Sequence, residues 1–288
     1  MPKLRFGPAG KPVDYKKTDI TGVPEFLHSI GLNAFEYQAV RGVKISEEKA
    51  RRLGEEAKKY DVLLSMHGPY YINFGSPEKK IFEASIKRLE DSIQACKWME
   101  AYIVVFHPGY YKGTTPEEAV KRTIEALKIV DEFRKSIGAK NVWLGPETTG
   151  KVTQIGTLEE NIEICRNIDN CKPVVDWAHM YARSQGKYIT TIDHVIEVIT
   201  MIEKELGKNA VSPLHMHFSK IDYGKGGEKE HHTLAEEGYG PDFRIICKGL
   251  VEVGVDGVII SESPILEKDA IVMKNICKEI CGAECIAD

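Results

Sequence analysis

Short runs rich in β-branched and aromatic residues alternate with longer amphipathic stretches from one end of this 288-residue chain to the other. The strand-like runs lie at 4–7, 34–37, 62–67, 102–107, 142–147, 173–176, 213–217 and 258–262. Helix-like stretches separate them, the clearest at 46–60, 78–99, 116–137, 158–167, 191–206, 242–253 and 268–280. Several of these begin as helices should. Ser46 precedes Glu47 and Glu48, and Thr115-Pro116-Glu117-Glu118 joins an N-cap to proline at the first helical position. Gly138 and Gly207 stand where helices would stop. Strand–helix alternation predicts parallel βα units, and eight of them predict an α/β fold of the (β/α)₈ TIM-barrel type. A doubly wound open sheet would carry a phosphate-binding glycine turn after its first strand, and Gly7-Pro8-Ala9-Gly10 does not match one. A single domain over 1–288 is expected, with one long irregular segment at 219–242 that reads as a functional loop.

Composition narrows the class. Hydrophobic residues at 42% and charged residues at 28% describe a soluble globular protein. No apolar run is long enough to span a membrane, and the opening MPKLRFGPAGKP lacks the core of a secretory signal, so a cytoplasmic location is expected. A net charge of −4 argues against a generic nucleic-acid-coating protein. Bound divalent ions would reverse the local sign around acidic ligands, which weakens that exclusion. Seven scattered cysteines do not read as a disulfide framework, and Cys277, Cys281 and Cys285 read as a packed helix face or a frayed tail.

The functional signal is where the ligand-type residues fall. His67, His107, Glu147, Asp176 and Glu262 each close a strand candidate; His215 lies on the seventh, His179 just past the sixth, and His231 in the long loop. All strand C-termini of a barrel meet at one face, so residues almost 200 positions apart would converge there. One such histidine is ordinarily a hydrogen-bonded structural residue. Repetition in successive units is different, because crowded carboxylates repel one another unless cations hold them. Mixed imidazole and carboxylate donors suit zinc, manganese or iron better than magnesium or calcium. Eight protein groups exceed what one ion takes, so two or three ions are expected, an arrangement suited to phosphate ester hydrolysis.

With these residues in view the chain resembles the endonuclease IV family, apurinic/apyrimidinic endonucleases built on the xylose isomerase-like barrel. The resemblance rests on His67-Gly68-Pro69-Tyr70-Tyr71-Ile72-Asn73, His107-Pro108-Gly109, Glu147-Thr148-Thr149-Gly150, Asp176-Trp177-Ala178-His179 and Ser261-Glu262-Ser263-Pro264, in that order along nearly the whole chain. It implies two to three Zn²⁺ per chain, with Mn²⁺ as the substitute. His67, His107 and Glu147 would hold the first ion; Glu147, Asp176, His215 and Glu262 the second; His179, His231 and a carboxylate the third. The family's Asp-x-His-His is broken here by Lys229, so Glu228 or Glu230 would supply that carboxylate, or His232 would replace His231.

The resemblance further implies base excision repair as a monomer on double-stranded DNA, with cleavage 5′ to an abasic site by metal-bridged hydroxide and Glu147 orienting the water. Tyr70 and Tyr71 would wedge into the duplex, and Arg41 and Lys220 would contact it. The segment after the second strand, Glu36-Tyr37-Gln38-Ala39-Val40-Arg41-Gly42, lacks the family's DNA-gripping residues. A sugar isomerase or epimerase on the same barrel is the rival reading. It needs a single metal ion and would give Glu36 the part of a base or substrate contact.

Overall fold

The computed structural model describes residues 2–287. Its strands are β1 (Leu4–Pro8), β2 (Ala34–Gln38), β3 (Leu63–His67), β4 (Ile103–Phe106), β5 (Gly109–Tyr110) and β6 (Trp143–Pro146). They continue as β7 (Gln154–Ile155), β8 (Val175–Asp176), β9 (Leu214–Phe218), β10 (Lys220–Gly224), β11 (Gly227–His232) and β12 (Gly257–Ser261). Parallel pairing joins β2–β3–β4–β6 into one arc and β8–β9–β12–β1 into another. Parallel bridges close both seams, Ala9 to Glu36 on one side and Leu144 to Cys171 and Glu147 to Val174 on the other. The result is a closed barrel of eight parallel strands, the (β/α)₈ architecture expected from the alternation.

The helices α2 (Glu47–Lys59), α3 (Lys79–Met99), α4 (Pro116–Ser136), α5 (Leu158–Arg166), α7 (Ile192–Leu206), α8 (Phe243–Val253) and α9 (Glu267–Cys281) fall within a residue or two of the expected ranges. Local chemistry explains their edges. Thr115 with Glu118, and Thr157 with Glu160, form capping boxes in which side chain and backbone satisfy each other. Two helices escaped the periodicity because each has only seven residues: α1 (Val23–Ser29) and α6 (Trp177–Arg183). Among the described residues no helix is long and apolar enough to cross a membrane.

Two expectations are corrected. The cysteines do pair: Cys247 with Cys277 and Cys281 with Cys285. Cys247 and Cys277 sit on α8 and α9, which pack side by side, so a separation of 30 residues carried no sign of the bridge. The segment 219–242 is not irregular throughout. Most of its first half is the antiparallel hairpin β10–β11, turned at Gly224–Gly227.

Inside the barrel, small apolar patches of Ala34, Val258 and Ile260, and of Ile103, Val105 and Val174, fill the space between opposing strands. Above them the interior turns polar. Glu36, Ser65, His67, Glu147, Asp176, His215 and His217 are all buried. Burying that many polar groups without partners would be costly, so their contacts show what the barrel is organised around.

Candidate metal centre

Strand ends deliver most of the donors. His67 is the last residue of β3, His107 follows β4 by one residue, Glu147 follows β6, Asp176 ends β8 and Glu262 follows β12. Glu147 is the hub. Its Oε2 lies 3.1 Å from His67 Nε2 and 3.3 Å from His107 Nε2; its Oε1 lies 3.1 Å from His179 Nδ1 and 3.4 Å from His217 Nδ1. Asp176 has two tasks. Its Oδ1 caps α6 by accepting from the His179 backbone N–H at 2.7 Å, which leaves Oδ2 turned to the site, 3.5 Å from His179 Nδ1.

On β9 the structure separates two histidines. Side chains on a strand alternate, so His215 and His217 face the same way into the barrel. His217 is nearer the mouth and lies between Glu147 and Glu262, 3.3 Å from Glu262 Oε1. His215 is one layer deeper and meets Glu36 at 2.9 Å. The residue expected with Glu147, Asp176 and Glu262 was His215; the one found beside Glu147 and Glu262 is His217. Period-two alternation in His215-Met216-His217 was the signal that could have found it.

The hairpin supplies the rest. Pairing of Asp222 with Glu230 and Tyr223 with Glu228 skips Lys229, a β-bulge. A bulge shifts the alternation by one, so Glu228 and His231, three residues apart, both turn toward the mouth. Glu228 Oε2 lies 3.1 Å from His179 Nε2, and His231 Nε2 lies 4.0 Å from Glu262 Oε2. Lys229 and Glu230 are exposed, and His232 stacks on Tyr239 and pairs with Glu236, away from the cluster. The hairpin can sit this low because it docks on glycine. Gly227, at φ +93°, would drive a Cβ to 2.0 Å from Gly150 O, and a Cβ on Gly150 would strike Glu228.

Of the residues expected to touch DNA, Tyr70 lines a cleft of about 230 Å³ over the cluster, with His107, Lys151, His179, Glu228, His231 and Glu262. Its ring centroid is 5.5 Å from that of His67. Tyr71 beside it is 62% exposed. Arg41 is exposed in the neighbouring loop, whose Val40 carbonyl accepts from the Tyr70 backbone N–H. Lys220 is turned away from the cleft and donates to the Glu236 carbonyl at 2.6 Å. Lys151, which the sequence did not single out, does line the cleft.

Charge and hydrogen bonding test whether this cluster fits metal ions. Burial would raise Glu147, but His217, His107 and His179 hold it well below the carboxylate range. Glu262 is brought to about 2, its burial outweighed by His217. Burial, aided by Glu262 and Glu147, raises Asp176 instead. For His67, His179 and His217 burial acts downward, yet the carboxylates around them raise all three. Such a field favours positive charge, which either protons or divalent cations provide. The hydrogen bonds favour cations. His67 Nδ1 bonds the Gly68 carbonyl, His179 Nδ1 the Thr148 carbonyl and His231 Nδ1 the Ser219 hydroxyl. Carbonyls only accept, so His67 and His179 donate from Nδ1, which leaves Nε2 as the atom each turns to the carboxylates and would offer to a metal ion. Four further buried atoms facing the mouth have no hydrogen-bond partner among the described residues: Glu147 Oε1, Asp176 Oδ2, His217 Nδ1 and Glu228 Oε2. Leaving each unpaired costs about 1–3 kcal/mol, and cations between them would remove that cost. The donor set fits zinc or manganese.

The comparisons agree with this architecture. Residues 24–276 match the model of the xylose isomerase-like TIM barrel family, and the chain belongs to that family. A relative from Methanocaldococcus jannaschii, named only as an uncharacterized protein, is 34% identical over 96% of this chain and 98% of its own length. A "Probable endonuclease 4" of Aquifex aeolicus is 27% identical over 68% of each chain. Among solved structures, a D-tagatose 3-epimerase-like protein superposes with a TM-score of 0.70 at 22% identity, over 91% of this chain and 93% of its own. Endonuclease IV from Thermus thermophilus gives 0.69 at 20%, over 96% and 100%. The resemblance to endonuclease IV read from the motifs is thus shared by named relatives, while the solved structures speak for the barrel alone.

Proposed function

We propose that this chain is a multinuclear metal-dependent phosphodiesterase acting on damaged double-stranded DNA, an endonuclease that cuts 5′ to abasic sites. One observation carries the reading: more donors converge on the mouth than one ion can hold. His67, His107 and Glu147 form one group; Glu147, Asp176, His179 and Glu262 a second; His179, His231 and Glu262 a third, with His217 joined to the second through Glu147 and Glu262 and Glu228 to the third through His179. Zinc bound in such groups supplies Lewis acidity to a phosphodiester and lowers the pKa of water.

The chain's own residues would do the following. Glu147 ties the first two groups together and presents the negative charge that orients an attacking water. Tyr70 offers a flat face beside the cleft, suited to replace stacking where a base is missing, and exposed Tyr71 extends it. Lys151, whose Nζ lies 3.7 Å from Glu228 Oε1, places a cation at the rim for a phosphate oxygen. The rival epimerase reading draws on the similarity to the D-tagatose 3-epimerase-like protein. Glu36, the residue the sequence offered as its base, is fully buried and bonded to His215, His217, Ser65 and Gln38, and it does not line the cleft.

The test is a nicking assay on duplex DNA with one abasic site, using protein loaded with zinc or manganese. Cutting 5′ to the lesion is expected. Intact substrate at full metal loading would sink the reading.

A further inference from the structure

One set of buried polar groups, joined to the centre through His217, otherwise has no task in this scheme. Below the mouth, inside the barrel, Tyr102, His215, Glu36 and His217 form a continuous string. Tyr102 Oη lies 2.6 Å from His215 Nδ1, His215 Nε2 lies 2.9 Å from Glu36 Oε2, and His217 Nε2 lies 3.0 Å from Glu36 Oε1. Ser65 Oγ and Gln38 Nε2 each donate to Glu36 at 3.0 Å. Glu36, His215 and His217 are wholly buried.

The direction of each bond follows from one fact: an ionised carboxylate only accepts. Both histidines must therefore turn an N–H toward Glu36. His215 then carries its proton on Nε2, and its bare Nδ1 takes the Tyr102 hydroxyl proton. His217 likewise turns an Nε2–H to Glu36, so that Nδ1 is the atom it presents to the site, a lone pair whenever the ring is neutral. That atom is the one member of the string without a hydrogen-bond partner, and it faces Glu147 Oε1 and Glu262 Oε1 at 3.4 and 3.3 Å. A lone pair aimed at two carboxylate oxygens is repulsive unless a proton or a metal cation lies between them, and a metal ion bound there displaces the proton. An apolar filling, like the patches nearby, would hold the barrel without these groups. The string is satisfied everywhere except at the end that meets the site.

The geometry points to Glu36 as a positioning residue that fixes the tautomer and orientation of His217, with Tyr102 and His215 fixing Glu36 in turn. On this account His217, rather than His215, presents Nδ1 to a metal ion. The inference rests on the metal-centre reading above, and it assigns work to residues that touch neither substrate nor metal. Carboxylate partners of this kind set the ring orientation and basicity of metal-ligating histidines.

The experiment uses full-length protein with ¹⁵N-labelled histidine, loaded with zinc. Long-range ¹H–¹⁵N correlation should show His217 protonated at Nε2, with Nδ1 shifted by the metal. In Glu36→Gln the amide can accept from only one ring and must donate elsewhere. The Nε2–H pattern of His217 should be lost, and zinc affinity, measured by chelator competition, should fall about 10–100-fold. Tyr102→Phe, which removes only the far end of the string, should shift affinity the same way by about fivefold, and it serves if Glu36→Gln does not fold. A folded Glu36→Gln protein that keeps the His217 tautomer and wild-type zinc affinity overturns the proposal, as does a Tyr102→Phe protein with both unchanged where only that variant folds. Wild-type protein that takes up no zinc would instead defeat the metal-centre reading beneath it.

Discussion

The two ends of the barrel treat buried polarity in opposite ways. At the N-terminal ends of the strands Lys172 is almost fully buried, yet its ammonium is provided for. Nζ donates to the Pro213 carbonyl at 2.8 Å and lies over the rings of Trp143 and Tyr102, at 4.7 and 5.6 Å from their centroids. At the C-terminal ends, Glu147, Asp176, His217 and Glu228 each keep an atom unpaired. The floor is finished by the fold itself, whereas the mouth keeps donor atoms that a bound cation would satisfy. That is the usual division in this architecture, stability below and chemistry above. It also means that changes at the two ends should be felt in different measurements.

The largest effect should come from the hub. Glu147→Gln is expected to lower cutting of abasic duplex by at least about 10³-fold, the scale of losing a central charged group in an active site. The metal-free protein should melt only modestly lower than wild type, because the histidines that hold the Glu147 carboxylate below its usual range lose a charged partner. A matching loss of stability in calorimetry would erase the distinction between the two ends. Next is the hairpin. Glu228→Ala should remove one ion from the elemental count and cost about 10–100-fold in activity, while Glu230→Ala stays within about twofold. Equal effects would mean that the bulge at Lys229 does not select the residue that faces the site.

At the floor the expected effect is on stability alone, and it depends on pH. Burial lowers the Lys172 pKa to about 8. Between that value and about 10.4, where a lysine titrates in an unfolded chain, the unfolded state binds more protons than the folded one. Stability contributed by this residue therefore rises as pH goes from about 8 to about 10.4, by on the order of 1–3 kcal/mol. Lys172→Met should be more stable than wild type at pH 7 and lose this advantage near pH 10, with cutting of abasic duplex unchanged. The difference between the two denaturation curves across pH is the check. A difference that widens with pH would reverse the sign. The smallest effect is expected at His232→Ala, whose ring stacks on Tyr239 outside the cluster. Metal content and activity should both stay at wild-type levels.

How much of this was legible follows the same division. The strand–helix alternation identified the barrel, because each unit has to bury one face of a helix on a parallel strand. It also put His67, His107, Glu147, Asp176 and Glu262 at strand ends, where the fold alone makes them neighbours. What could not be read depends on one-residue detail. The choice between His215 and His217 turns on depth along one strand, and the choice among Glu228, Glu230 and His232 turns on the bulge. Neither leaves a compositional trace. The bridge between Cys247 and Cys277 depends on which helices become neighbours, and α1 and α6 are too short for a periodic signal.

The central claim is that the mouth holds several ions used for phosphodiester cleavage. Elemental analysis of purified wild-type protein, made on the sample that is then assayed on abasic duplex, tests it most directly. The account predicts two to three zinc or manganese ions per chain and a single cut 5′ to the lesion. A protein with one ion per chain that leaves the duplex intact would contradict it.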